Sequence, residues 1–111
     1  MDFPAFIDAL PRIAIPFPES AVSARAIRSD RGLVVFFSFH EDVELPPHSH
    51  LAQWGTLVAG EAEISIAGTP RTMRPGDTWD IPAGVEHSVR IKAGARAIDV
   101  FEEPDRYPLR P

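Results

Sequence analysis

The chain has 111 residues, no cysteine, and 11 basic against 16 acidic side chains, for a formal net charge of −5. That length makes one domain, residues 1–111, and is too short for two lobes with a cleft between them. The acidic balance disfavours nucleic-acid binding, the missing cysteines remove disulfides, thiol catalysis and thiolate metal sites, and no apolar run of about 18 residues is present to span a membrane.

Residues 2–10 are the one good helix candidate. Phe3, Phe6, Ile7 and Leu10 recur at helical spacing, Asp2 can cap the start and Pro11 stops the end. A helix this short is stable only when docked, and a sheet is the expected support. The start, Met1-Asp2-Phe3-Pro4, lacks the basic and apolar regions of a secretory signal, so the expected compartment is the cytoplasm.

Beyond the helix the chain punctuates itself. It holds 12 prolines, about double the usual share of roughly 5%. Pro11, Pro16 and Pro18 mark an extended connector. Residues 22–28 read as a first strand, and Ser29-Asp30-Arg31-Gly32 as a turn. Leu33 to Phe39 is a continuous apolar run, as expected of a strand buried on both faces or lending one face to an oligomer. Phe36, Phe37 and Phe39 are therefore assigned to core and dimer interface, with the opening helix or first strand able to cross to the partner. Glu41 to Pro47 reads as a polar, proline-ended turn, and His40 before it as solvated.

Gln53–Ala59 is the next expected strand, closed by Gly60. Ala62, Ile64 and Ile66 alternate with polar residues, and Ala67-Gly68-Thr69-Pro70 turns the chain into Arg71–Arg74. A short strand at 78–81 follows, then a turn at Pro82-Ala83-Gly84. His87, Val89 and Ile91 alternate with Ser88, Arg90 and Lys92, which places His87 on an interior face. Residues 97–101 form the last strand, and the tail from Glu102 is expected to pack loosely or against a partner. About eight short strands with frequent turns close most simply into an all-β barrel or jelly roll carrying a short N-terminal helix.

Two segments carry the chemistry. His48 and His50 stand two residues apart, which on a strand aims both imidazoles to one face. His87 lies in Gly76-Asp77-Thr78-Trp79-Asp80-Ile81-Pro82-Ala83-Gly84-Val85-Glu86-His87. Neutral imidazole nitrogens are good ligands for divalent transition ions.

These segments resemble the two motifs of the cupins. Gly76, Pro82, Gly84 and His87 meet Gly-x5-Pro-x-Gly-x2-His in full, within 76–91. His48, His50 and Gly60 match the first motif, within 42–60, with about 15 residues between the two. The resemblance implies a small β-barrel with a divalent metal in its mouth, held by His48, His50, His87 and the residue at the motif's glutamate position. Counted back from Gly60, that position is Gln53. Asp42 and Ile91 depart from the motif's first glycine and last asparagine.

Gln53 follows His50 by an odd step, so a straight strand would put it on the opposite face, and a turn or bulge at Leu51-Ala52 must re-aim it to make it a ligand. It either binds the ion directly or holds a ligand by a hydrogen bond. Facing inward, it would bring Gly55, Leu57 and Ala59 with it, leave space at Gly55 beside the ion, and turn Trp54 out. An all-neutral ligand set would leave the ion its full charge, favour anionic or enolate-like ligands, and depart from the carboxylate-bearing site of oxygen-activating iron. Zn, Ni, Fe, Mn and Cu all suit it. Trp54 and Trp79 are either core or pocket wall. Asp80 either orients a ligand histidine or is solvated, and Glu86 is assigned to the surface.

The function this implies is a metalloenzyme acting on a small, anionic metabolite, such as a dioxygenase, isomerase or decarboxylase. The alternatives are a non-enzymatic module that binds or senses a small molecule around a structural metal, and a metal-free barrel. No Lys or Tyr lies near the motifs to supply a second catalytic group. A homodimer is expected from the surplus of apolar strand faces.

Overall fold

The computed structural model describes residues 1–110. One helical turn, α1 (Ala5–Asp8), precedes nine strands: β1 (Val22–Arg28), β2 (Leu33–Phe39), β3 (Val43–His48), β4 (Gln53–Ala59), β5 (Ala62–Ile66), β6 (Thr69–Met73), β7 (Thr78–Ile81), β8 (His87–Ile91) and β9 (Arg96–Phe101). They form two antiparallel sheets, one ordered β1-β2-β9-β4-β7 and the other β3-β8-β5-β6. The all-β jelly-roll architecture is the one expected.

Alternation decides which side chains fill the space between the sheets. Leu33, Val35, Phe37 and Phe39 of β2 point inward and are buried, as are Val22, Ala24 and Ala26 of β1, Leu57 of β4, Ile64 of β5 and Phe101 of β9. Val34, Phe36 and Ser38 take the other face of β2. The apolar run is thus two stripes, one for the core and one for the outer face of the five-stranded sheet.

The helix is shorter than its periodicity suggested. Phe3 lies ahead of α1, where helical spacing no longer applies, and packs edge-on against Phe36, with ring centroids 5.6 Å apart. Phe6 consequently points to solvent. Asp2 does not cap the helix, whose N-cap is Pro4; its carboxylate meets Arg96 at 3.0 Å instead. The segment does dock on a sheet, as expected of so short a helix.

Residues 43–48, expected as a turn, form β3. Prolines 46 and 47 argued against a strand, yet β3 lies at an edge of its sheet, where a missing N–H costs no ladder bond. The register slips between Leu45 and His48, across those prolines. The hairpin β5–β6 turns through Ala67 and Gly68, both in the left-handed region at φ 50° and 83°, so β6 starts two residues earlier than expected. The C-terminal tail is not loose. The Glu102 and Glu103 carboxylates accept the N–H groups of Ala52 and Leu51, and Tyr107 packs against Phe37 and Phe101.

Candidate metal centre

His48 and His87 sit directly opposite one another at the end of the β3–β8 ladder. The register slip at the prolines sets the angle at which His48 enters. His50 lies just past β3 rather than on it, and its carbonyl accepts the Gly84 N–H at 2.9 Å, which ties the first motif to the turn ahead of β8. The three rings converge, with centroids 4.2 Å (His48–His87), 4.8 Å (His50–His87) and 5.4 Å (His48–His50) apart.

Each ring is held in the same tautomer. The Nδ1 atoms of His48, His50 and His87 lie 2.8, 2.7 and 3.0 Å from the carbonyl oxygens of Pro46, Leu51 and Val85. A carbonyl oxygen only accepts, so each Nδ1 carries the proton and each Nε2 keeps its lone pair. His87 is 3% exposed, and its Nε2 is buried with no hydrogen-bond partner. Burial lowers the pKa of His87 and His50, and their backbone hydrogen bonds only partly offset this. One ligand atom from each ring lies within 4.8 Å of the other two. Neutral nitrogens with fixed tautomers, one of them buried and unsatisfied, fit a divalent transition ion held at about 2.0–2.1 Å.

Gln53 belongs to β4, on the other sheet. The parity argument from His50 therefore lapses, because the chain bends through Leu51 and crosses between sheets before β4 begins. Gln53 does face inward and Trp54 outward. Its Nε2 donates to Asp99 Oδ1 at 2.8 Å, and the same oxygen accepts Trp79 Nε1 at 2.7 Å. The space at Gly55 is taken by Trp79 and Asp99, against which any Cβ there would press, and is not kept open for an ion. Trp79 is both core and cavity wall. Asp80 is exposed, as is His40, whose Nε2 lies 2.9 Å from Ser23 Oγ. Glu86 is exposed as well.

The histidines line a partly open cavity of about 70 Å³ walled by Phe39, Leu57, Trp79, Phe101 and Tyr107, with Gln53 and Asp99 among its polar lining. That is room for two or three waters at roughly 30 Å³ each. Asp99 was not foreseen. Burial raises its carboxyl to about 6, against the lowering effect of the hydrogen bonds from Gln53 and Trp79. Tyr107 and Arg106 reach the site from the tail. The Arg106 guanidinium lies 4.7 Å from the Tyr107 ring centre, and its charge opposes protonation of both His50 and His87. The positional signal for Asp99 was a lone acid inside the strand from 97 to 101; nothing in the tail marked the other two.

Comparison with known proteins gives a consistent picture. Residues 35–101 match the family model described as a cupin domain. Among solved structures the chain is similar to KdgF from Halomonas sp., at 23% identity and TM-score 0.72, covering 85% of this chain and 86% of that one. It is similar to an RmlC-like cupin from Shewanella frigidimarina, at 22% identity and TM-score 0.73, with 86% of each chain covered. It is also similar to an oxalate decarboxylase of Bacillus subtilis described by its Mn(II) centres, at 18% identity and TM-score 0.71, covering 93% of this chain and 31% of that one. Likenesses at these identities speak to fold. No match was found among curated protein sequences.

Proposed function

The chain belongs to the cupin domain family, and on that premise we propose that it is a metal-dependent enzyme that moves a proton on a small anionic metabolite, an isomerase-type or decarboxylase-type activity. The observation that carries this reading is the buried, unpartnered Nε2 of His87 among two further imidazoles of the same tautomer, in a cavity that also presents Asp99.

His48, His50 and His87 would hold the ion, with the Gln53 amide oxygen as the fourth donor. Asp99 accepts from the Gln53 amide nitrogen, so the amide oxygen is not used in that bond. Zn, Ni, Fe, Mn and Cu remain candidates, and the Mn(II) centres of the Bacillus decarboxylase support manganese among them. An ion with no anionic ligand would supply Lewis-acid polarisation of a substrate oxygen.

This chain's own groups would do the rest. A carboxyl near 6 exchanges a proton readily at neutral pH, so Asp99 is the proposed proton carrier, steadied by Trp79. Arg106 draws a carboxylate-bearing ligand toward the histidines. Phe39, Phe101 and Tyr107 keep bulk water out. A carboxyl suited to proton transfer, in a ligand set without a carboxylate, favours this chemistry over oxygen activation. The small cavity favours the alternative of a binding module with a structural metal, so the two need separating. The protein is proposed to act in the cytoplasm.

The test measures metal and proton transfer separately. Protein purified without added metal or chelator should hold close to one transition ion per chain, and His87→Ala should lose it. Small 2-oxo and hydroxy acids should then exchange carbon-bound hydrogen in deuterium oxide with the metal-loaded protein. Asp99→Asn should keep the ion and slow exchange by about 10²–10⁴-fold, the usual reach of a positioned acid or base. Metal without any exchange points to the binding module; no metal at all ends the proposal.

A further inference from the structure

The two peptides that follow His50 are held from the far end of the chain. Leu51 N–H donates to the Glu103 carboxylate at 2.8 Å, and Ala52 N–H donates to the Glu102 carboxylate at 3.2 Å. Both acids follow β9 directly, and the sheet sets their place. Phe101 pairs with Gln53 in the β4–β9 ladder, and one step on, Glu102 N–H donates to the Ala52 carbonyl at 2.9 Å.

Each carboxylate thereby enters a peptide unit whose carbonyl is already engaged at the metal centre. The Ala52 N–H and the Leu51 carbonyl belong to one peptide, and that carbonyl accepts the His50 Nδ1 proton at 2.7 Å. The Leu51 N–H and the His50 carbonyl belong to the peptide before it, and that carbonyl accepts the Gly84 N–H at 2.9 Å, in the turn that leads to His87. In a trans peptide the two groups point to opposite sides, so a carboxylate on the N–H polarises the carbonyl and strengthens the bond beyond it. One chain of hydrogen bonds runs from Glu102 to the His50 ring. The other runs from Glu103 to the turn ahead of β8. His48 has no equivalent, since its Nδ1 meets the Pro46 carbonyl and Pro47 brings no N–H to that peptide.

We propose that Glu102 and Glu103 are positioning residues of the metal centre, acting on His50 through the two peptides that flank Leu51. The inference rests on the metal-binding reading above and extends it beyond the ligands. A carboxylate that hydrogen-bonds a ligand histidine fixes its tautomer and strengthens its donor nitrogen. Here a peptide stands between acid and ring. The four donors named above are neutral, and these acids set negative charge behind one of them. Burial lowers the pKa of His50, and the charge of Glu103 opposes that lowering.

Nuclear magnetic resonance of the metal-free chain and metal titration test this together. Glu102→Gln keeps an acceptor oxygen and removes the charge. It should move the His50 Nδ1–H resonance upfield and leave that of His48 in place. Glu103→Gln should move the Gly84 amide proton upfield. The double variant should bind Zn²⁺ and Mn²⁺ at least about 10-fold more weakly than wild type, within the range of about 10–100-fold usual for lost partners of ligand histidines. Glu63→Gln removes one charge from an exposed position on the other sheet and should bind as wild type does. A double variant that binds as tightly as Glu63→Gln overturns the proposal, as does a His50 resonance indifferent to Glu102→Gln. A wild type that binds neither ion fails differently: it overturns the function proposed above, and this inference with it, even where both resonances shift.

Discussion

The indole N–H of Trp79 donates to the Asp99 carboxylate at 2.7 Å, and both side chains are buried. The pair joins β7 to β9 across β4, which lies between them in the sheet. It places an ionisable acid where burial favours its neutral form, on the same cavity as the three imidazoles that could hold a metal.

The stability of the metal-free protein should carry the mark of that acid. Asp99 has an ordinary value of 3.8 and is raised to about 6 in the fold. Between those values the folded state binds a proton that the unfolded state does not, so stability falls as pH rises from about 4 to 6 and the full penalty remains above. Asp99→Asn keeps an oxygen to accept from Gln53 and Trp79 without the charge. The variant should match wild type near pH 4 and exceed it at pH 8 by on the order of 2–3 kcal/mol, at about 1.4 kcal/mol per unit. Denaturant titrations at both pH values check this. A difference independent of pH would remove Asp99 as its source.

Gly55 should tolerate no side chain. A Cβ there would overlap the Asp99 carboxylate and the Trp79 indole nitrogen, both buried and hydrogen-bonded to each other. Neither can withdraw without breaking that bond. Gly55→Ala should cost about 1–3 kcal/mol, the usual range for overpacking. Near-ultraviolet circular dichroism should register the displaced indole.

The places where sequence reasoning succeeded and failed follow from what each pattern encodes. Strands β1, β2, β4, β5, β7 and β8 carry their alternation or apolar runs in plain view, and their limits agree with those expected. The convergence of His48, His50 and His87 was legible because two motifs fixed the positions of all three. β3 was hidden by Pro46 and Pro47, since a sequence does not announce that a strand lies at a sheet edge. Asp99 was hidden because a carboxylate in a buried strand gains meaning only from Gln53 and Trp79, which adjacent strands bring to it. Tyr107 and Arg106 depend on how the tail folds back, and no periodic pattern governs that.

The metal should leave as the solution is acidified. Burial lowers the pKa of His50 and His87 from 6.5, so both rings are neutral at pH 7 and stay neutral somewhat below 6.5. An ion competes with protons only once these rings titrate. Metal content after dialysis should therefore hold through pH 6.5 and decline below it. The apo fold should weaken in the same direction, because below 6.5 the unfolded chain takes up protons that the folded one resists. Supplying ion at 100 times its dissociation constant should add about 2.7 kcal/mol at pH 7 and progressively less on acidification. Loss of metal beginning above pH 7 would contradict imidazole ligands that are neutral at that pH.

The N-terminal segment should contribute to stability through one side chain. Phe3 is buried while Phe6, on the same segment, is 75% exposed. Phe3→Ala should cost about 1.5–3 kcal/mol, the value of burying a phenylalanine, whereas Phe6→Ala should leave stability within about 0.5 kcal/mol of wild type. The contrast matters because helical periodicity alone gives both residues the same stripe. The variant also uncovers Phe36, which continues the apolar face from Val34 along β2. Phe3→Ala should thus bind a hydrophobic dye more strongly than wild type, and Phe6→Ala should not. Equal costs at the two positions would mean that α1 docks through its helical stripe rather than through the extended residue ahead of it.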